Sequence, residues 1–558
     1  MNDTFIWKTN RPWPNDRMKQ ASIVGHTTAK STLLWLRTAK PGKYTLLVFE
    51  VAKVTQTFTD SLKLVPFSID TLPNSIKKYP FTIENYDNDT IHVEKIENLK
   101  PLTKYGYALY GDDLEVSRIM LGQDRVYQFR TLSNTKTKDF SFAFYSCHMP
   151  YKDTIFGNTN IQNLDMWDYF NLVLEKQSEQ MRFVIGGGDQ VYVDGVKSLN
   201  IWRYLTKVAR VEQGELLPSV EAMKTWYRDI YRGYWGFENV KKMFSSYPNY
   251  MIWDDHELSD GWGSFIFSDK SKEDELNEMF DWKLKGLKRT QANELLERMQ
   301  KAAFCVYNEY QHSHNPGTKT NEFHYHSEAE GSAFYFLDGR SQRDINRSSR
   351  KVLGRKQYLE FIDYLKSLNP KKTPFLFVTS AVPLMHMNTV LANADDNILA
   401  DLSDLQDDLR DSWEHKSHDS ERKGLLKALF EASARGIRIC ILSGDVHTSA
   451  VFKMTDKKTG AMIYQLTSSA ITYNKPRALS WILGKTVADK GHSKDGYSFE
   501  RLLLYTQSNF SIIRVLPKEK TVWFDLYGKQ TVEDPNYNEE EKPIINSLAN
   551  IELFSNFK

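Results

Sequence analysis

The sequence predicts two folding units in tandem, an all-β sandwich over residues 1–135 and a larger α/β domain over residues 136–558. Three observations carry this expectation. Short apolar stretches with no strong helical pattern fill the first unit. The polar tract Ser133-Asn-Thr-Lys-Thr-Lys-Asp139 follows, and beyond it short apolar stretches alternate with longer amphipathic ones. At 558 residues, 41% of them hydrophobic, the chain is long enough to bury more than one core.

The strands predicted in the first unit are, in order, TLLWL from Thr32, YTLLVFEV from Tyr44, TIHVEKI from Thr90, YGYALY from Tyr105 and VYQFRTL from Val126. Pro41-Gly42 and Asp87-Asn88-Asp89 supply turns between them, the spacing of a small antiparallel sandwich. The stretch Leu99-Lys-Pro101-Leu-Thr103-Lys-Tyr105 is similar to the entry into a late strand of fibronectin type III modules. That similarity implies a corner hydrogen bond from Tyr105. An unrelated β domain with a core tyrosine is the competing reading.

In the second unit the predicted strands are FSFAFYSC from Phe140, MRFVIGGGD from Met181, NYMIWDDHE from Asn249, SAFYFLDGR from Ser332, PFLFVTS from Pro374 and IRICILSGDVH from Ile437. Residues 271–310 and 421–435 read as helices between them. Strands this short and this apolar fit a sheet covered on both faces, which makes this an α/β domain with crossovers. The Asp-rich residues 393–411 read as a surface loop or helix start, and strand signals return in FSIIRVL from Phe510 and TVWFDLYG from Thr521.

Lys plus Arg (73) nearly balance Asp plus Glu (71), leaving a formal charge of +2. That argues against a surface built to neutralise many phosphates of a nucleic acid or an anionic membrane, while leaving room for a basic pocket for one small anion. Three cysteines, Cys147, Cys305 and Cys440, do not make a disulfide framework and suit a reducing compartment. No segment reaches the ~18 apolar residues of a membrane span. The start, MNDTFIWKTNRPWPND, has charges where a signal peptide has its apolar core. The expectation is a cytoplasmic protein with no membrane partner.

Four of the predicted strands end in side chains able to hold a metal: Cys147 and His148; Asp189 with Tyr192; Asp254-Asp255-His256-Glu257; and Asp445-Val-His447. Each has a plainer reading when taken alone. Gly188-Asp189 fits a turn with an Asx hydrogen bond, the acidic run after Trp253 fits a helix N-terminus, and Cys147 fits a small core residue. Asp445 and His447, two residues apart, would point the same way from an extended chain. Ligands of open α/β sheets bind beyond the carboxyl ends of the strands, so the four groups are expected to converge at one edge.

Six motifs in this order, FAFYSC, GDQVY, IWDDHE, FLDGRSQR, DSWEHKSHDSERKGLL and LSGDVHTSA, resemble those of the calcineurin-like metallophosphatase superfamily. Within it they resemble the PhoD-like alkaline phosphatases and phosphodiesterases, from about Phe140 to Tyr473. The resemblance implies a metallophosphatase sandwich of two β-sheets flanked by helices, preceded by the fibronectin type III-like domain. It implies that Cys147, Tyr192 and His447 bind one metal, that Asp189 bridges two, and that Asp255 and Asp445 favour the second. It also implies Fe(III) at the first position and a divalent ion, Ca(II) foremost, at the second. The donor chemistry agrees with a highly charged ion beside thiolate and phenolate and a hard one among carboxylates, and leaves Mn(II), Mg(II) and Zn(II) open.

The implied reaction is hydrolysis of phosphodiesters or phosphomonoesters by hydroxide attack between two metals, on a small-molecule phosphate ester. His256 is expected to protonate the leaving oxygen, and Arg340 and Arg343 to grip nonbridging phosphate oxygens. A salt bridge to Asp338 is the rival role for one arginine. Several features depart from the family pattern: no export signal is visible, His148 follows Cys147, and the loop after Tyr192 reads Val-Asp194-Gly. His312-Ser-His314 and His324-Tyr-His326 offer an extra metal site, against the plainer reading of polar faces on a loop and a strand. A metal-dependent nuclease and an inactive binding protein that uses the sandwich remain the rival functions, and the oligomeric state is left open.

Overall fold

A computed structural model describes residues 13–54, 74–111, 127–135, 138–154, 159–208, 217–264, 289–317, 322–344, 351–387, 411–473, 487–493, 495–528 and 547–555. The Asp-rich tract before Asp411, the first part of the predicted helix 271–310 and Val126 lie outside the described residues.

The first unit is a pair of antiparallel sheets. Strands Ala21–Thr27, Thr32–Arg37 and Ile91–Ile96 form one. The other has the order Lys77–Ile83, Gly42–Glu50, Lys104–Gly111 and Tyr127–Arg130. Alternate residues point inward, so Tyr44, Leu46 and Val48 of one sheet meet Val24, Leu34 and Leu36 of the other in one core. The Tyr105 hydroxyl accepts the Lys100 N–H at 2.9 Å, the corner bond expected of it.

The second unit holds two larger sheets packed face to face. In the six-stranded sheet, Asn249–Ile252, Met181–Gly187 and Phe140–Tyr145 run parallel, and Asn509–Leu516, Thr521–Gly528 and Ala549–Leu553 complete it antiparallel. The eight-stranded sheet has the order Tyr325–Ala329, Ser332–Phe336, Phe375–Thr379, Arg438–Ser443, Met462–Thr467, Ser449–Asp456, Tyr497–Tyr505 and Lys490–His492. The facing surfaces interlock through aromatic rings: Phe142 sits edge-on to Phe377 at 4.9 Å and to Phe334 at 5.4 Å.

The outer faces are closed by helices. Asp165–Lys176, Val220–Tyr234 and Arg289–Tyr310 share a core with Tyr145, Val184 and Met251. Gly354–Ser367 and Asp419–Ala434 cover Leu376, Val378, Ile439 and Ile441. The central strands of each sheet are therefore covered on both faces, by helices on one side and by the other sheet on the other, which explains why they read as unbroken apolar runs, whereas Tyr497–Tyr505 and Ala549–Leu553 toward the edges are partly exposed. Among the described residues, no helix is long and apolar enough to cross a membrane.

The sandwich is joined to the second unit by buried polar contacts. Asp89, in the turn before Ile91–Ile96, is buried and held by Arg37 of its own unit (2.9 Å), by Arg232 (3.3 Å) and by the Tyr310 hydroxyl. Trp35 Nε1 donates to the Glu309 carbonyl at 2.7 Å, and the Tyr107 hydroxyl to the Ser245 carbonyl at 2.9 Å.

Candidate metal centre

The predicted residues at the strand ends do converge. Phe140–Tyr145 leads into Cys147, Met181–Gly187 into Asp189 and Tyr192, Asn249–Ile252 into Asp254-Asp255-His256, and Arg438–Ser443 into Asp445 and His447. Cys147, Asp189, Asp445 and His447 all take the left-handed conformation, with φ of 57°, 55°, 60° and 50°. Such backbone costs on the order of 1–3 kcal/mol per residue and persists where the surroundings enforce it, commonly at functional sites. Gly444 is part of that enforcement, since a Cβ there would collide with the Ser146 side chain and hold the Asp445 loop off the Cys147 loop.

Among the described residues, three groups of ligand-capable atoms result, each with all atoms within 4.8 Å of one another. Cys147, Asp189 and His447 form the first; Asp189, Asp254, Asp255 and Asp445 form the second; Asp189 and Asp255 with His256 form a third that overlaps it. Asp189 belongs to all three. Tyr192 joins the first group, its hydroxyl 3.2 Å from Asp189 Oδ2 and 2.9 Å from His447 Nε2, while Cys147 Sγ lies 3.4 Å from the same Asp189 oxygen. The ring of His447 stacks on Tyr473 at 3.8 Å.

The electrostatics ask for cations. Burial, reinforced by neighbouring carboxylates, pushes the Asp189 and Asp445 carboxyls, the Cys147 thiol and the Tyr192 phenol well above their ordinary pKa values. One carboxylate oxygen each of Asp189, Asp254 and Asp255 is buried with no hydrogen-bond partner. Buried acceptors crowded this closely are costly unless positive charge reaches them. The donor set, with a thiol, a phenol and an imidazole at one end and carboxylates at the other, fits metal ions of two characters.

His256 sits beside the second group. Its Nδ1 is 2.8 Å from Asp194 Oδ1, its Nε2 is 3.9 Å from Asp260 Oδ1, and its ring lies 4.0 Å from that of Tyr192. Burial disfavours its charge, but the carboxylates of Asp194, Asp255 and Asp189 outweigh burial and hold its pKa well above the usual histidine value. The acidic run after Trp253 turns out to serve as a helix start and as a ligand loop together. Asp254 and Glu257 form a reciprocal capping box around the short 3-10 helix Asp255–Glu257, and the Asp255 carboxylate accepts the Gly261 N–H at 2.6 Å.

Arg340 and Arg343 depart from expectation. Their side chains have no solvent exposure. Arg340 donates through Nε to Asp254 and grips Asp411 with both terminal nitrogens at 2.7 Å, with Asp255 3.4 Å away. Arg343 donates to Ser264 Oγ at 2.8 Å and to the Asp411 carbonyl. Arg340 is engaged by the protein through all three guanidinium nitrogens, whereas Nη1 of Arg343 is buried without a hydrogen-bond partner. The anticipated Asp338 partner is replaced by Asp411, while Asp338 accepts from Trp253 Nε1 at 2.9 Å and from the backbone of Arg340.

The argument from spacing for Asp445 and His447 also fails, although both residues reach the site. The strand ends at Ser443, and Val446 and His447 bond back two residues each in tight turns, so Asp445 and His447 fall into different donor groups. His312 and His314 are not on a polar face: both are fully buried on the short 3-10 helix His312–His314, and burial pulls them down to about 4 and about 3. His324 pairs with Glu360 at 2.7 Å and His326 packs on Tyr364. Among the described residues, neither pair belongs to a group of three or more ligand-capable side chains.

Three residues carry more of the site than the sequence reading gave them. Asp254 is a ligand candidate in its own right, Asp194 is the partner of His256, and Asp411 is the counter-ion of both arginines. All three stand in stretches the sequence singles out: Asp254 in IWDDHE, Asp194 as the acid two residues after Tyr192, and Asp411 as the first residue of DSWEHKSHDSERKGLL.

Comparison with known proteins agrees with this architecture. A solved structure of PhoD is similar over 97% of this chain and 91% of that chain, with a TM-score of 0.61 at 16% identity. A purple acid phosphatase from yellow lupin (Lupinus luteus) seeds gives a TM-score of 0.47 at 10% identity, over 92% of this chain and 72% of that one. An uncharacterized protein of Saccharomyces cerevisiae is 21% identical over 327 residues, 49% of this chain, and the match spans a little under half (45%) of that relative's length. The family model of the PhoD-like phosphatases matches residues 142–511, two thirds of the sequence and every strand-end motif described above. The chain belongs to the PhoD-like phosphatase family.

Proposed function

We propose that the chain is a two-metal phosphoric ester hydrolase acting on small-molecule phosphodiesters or phosphomonoesters. The observation that carries this reading is the position of Asp189, which alone belongs to all three donor groups and so links the end with Cys147 and His447 to the carboxylate end. Cys147, Tyr192 and His447 would hold one ion, Fe(III) by its donor character, with Asp189 between. Asp254, Asp255 and Asp445 would hold a harder divalent ion such as Ca(II). Bound there, the pair supplies Lewis acidity toward the phosphoryl oxygens and a water acidified enough to act as the nucleophile.

The chain's own residues do the rest. His256, oriented by Asp194 through Nδ1, presents its Nε2 edge to protonate the departing alkoxide. Arg340, clamped by Asp411, neutralises Asp254 and Asp255 from behind and keeps their ligand oxygens facing the site. The complete donor set weighs against an inactive binding protein, and a formal charge of +2 weighs against a nuclease with a long backbone-tracking groove.

The test is hydrolysis of a chromogenic monoester and a chromogenic diester by the purified chain before and after chelation. The proposal expects activity on at least one ester, lost with the metals and regained on their return. Activity indifferent to complete metal removal would overturn it.

A further inference from the structure

We propose that Glu257 is the positioning residue that sets the spacing between the two cation positions, with Gln311 as its anchor; this rests on the metal-dependent reading above. Glu257 is buried and its carboxylate accepts four hydrogen bonds. Oε2 takes the backbone N–H of Asp189 at 3.2 Å and of Asp254 at 2.9 Å. Oε1 takes the Gln190 N–H at 2.8 Å and the Gln311 side-chain amide at 2.9 Å.

One oxygen atom therefore ties together the loop that carries the shared ligand and the loop that carries Asp254 and Asp255. Asp189 stands in the left-handed region, where backbone needs external support, and its N–H is the group Glu257 holds. Gln311 follows the helix Arg289–Tyr310 and donates also to the Tyr231 hydroxyl at 3.0 Å. The hub is thus fastened to the helical layer, outside the ligand loops.

All four partners are donors, so the position fits a group that only accepts. Glutamine has the same shape but sets its own NH2 against the Gln190 N–H, and that NH2 finds an acceptor only if the Gln311 amide turns over to offer its Oε1, which otherwise has no hydrogen-bond partner. Combining Glu257→Gln with Gln311→Met removes that turnover and leaves the NH2 without an acceptor at either contact.

The experiment measures Mn(II) binding to the metal-stripped full chain by equilibrium dialysis, with the melting temperature, kcat and KM for a nitrophenyl ester alongside. Glu257→Gln is expected to stay folded and to bind its second Mn(II) about 10- to 100-fold more weakly. Its kcat should fall while KM changes little, and the Glu257→Gln/Gln311→Met double variant should bind its second Mn(II) more weakly than either single variant. Gln311→Met, which removes the anchor and spares the carboxylate, should show a smaller loss of the same kind and serves if Glu257→Gln does not fold. Either single variant binding two Mn(II) as tightly as the unmodified chain, or a folded double variant that binds them no more weakly than the single variants, would overturn the inference. An unmodified chain that binds no metal would overturn the underlying reading instead.

Discussion

The Nδ1 atom of His256 and the Oδ1 atom of Asp194 lie 2.8 Å apart, although 62 residues separate them in sequence. The contact fixes which ring nitrogen faces the site and stabilises the protonated imidazole beside three carboxylates.

His256→Ala is accordingly expected to keep its metal content and to lose roughly 10²- to 10⁴-fold in rate. The loss should be larger for alkyl esters, whose leaving groups need the proton, than for nitrophenyl esters, which depart as anions. Asp194→Asn should lose less, with the same dependence on the leaving group. Elemental analysis and a leaving-group series check this; an equal fractional loss on both ester types would remove His256 from the acid role. Because ligand-capable atoms of His256, Asp189 and Asp255 lie within 4.8 Å of one another, a fall in metal content would make His256 a ligand instead.

Arg340→Gln leaves Asp254 without its buried counter-ion and Asp411 with Arg343 alone. Breaking a buried pair from one side typically costs about 3–5 kcal/mol, so the variant should melt several degrees lower and bind metal more weakly. An arginine that gripped substrate would instead raise KM at an unchanged melting temperature. Thermal denaturation paired with KM distinguishes the two.

Asp89 links the sandwich to the helical layer, and its folded pKa lies at about 2: burial pushes the group up, but Arg232, Arg37 and the Tyr310 hydroxyl outweigh it. A folded pKa below the unfolded value of 3.8 means that the stabilisation, roughly 2 kcal/mol, is fully present above about pH 4 and fades as pH falls through 2. Asp89→Asn should lower the denaturation midpoint at pH 7, where the carboxylate is fully charged. The difference between the two proteins should shrink on acidification through that window. Denaturant unfolding at a series of pH values measures it.

What the sequence made legible was local. Asp189, Tyr192 and Asp255 stand within a few residues of apolar strands whose pattern could be read, and the strand end itself predicts where the side chains gather. Asp411 lies 71 residues from Arg340, so the nearer Asp338 was the partner that spacing suggested. The turn after Ser443 depends on close packing against Ser146, which no alternation pattern encodes. In the sandwich, the strand Lys77–Ile83 went unpredicted because Pro80 reads as a breaker; it is tolerated because that strand pairs on one side only, at the sheet edge. His312 and His314 read as polar, whereas the helical layer and the sandwich bury them.

The sharing of Asp189 between the group of Cys147 and His447 and the carboxylate group is the central claim, and the metal content of the Asp189→Asn variant tests it most directly. Elemental analysis of the folded, purified variant beside the unmodified chain should show both metals lost together, because one carboxylate serves both positions. A variant that keeps a full equivalent at either position, with the other metal lost or not, would contradict a bridging Asp189.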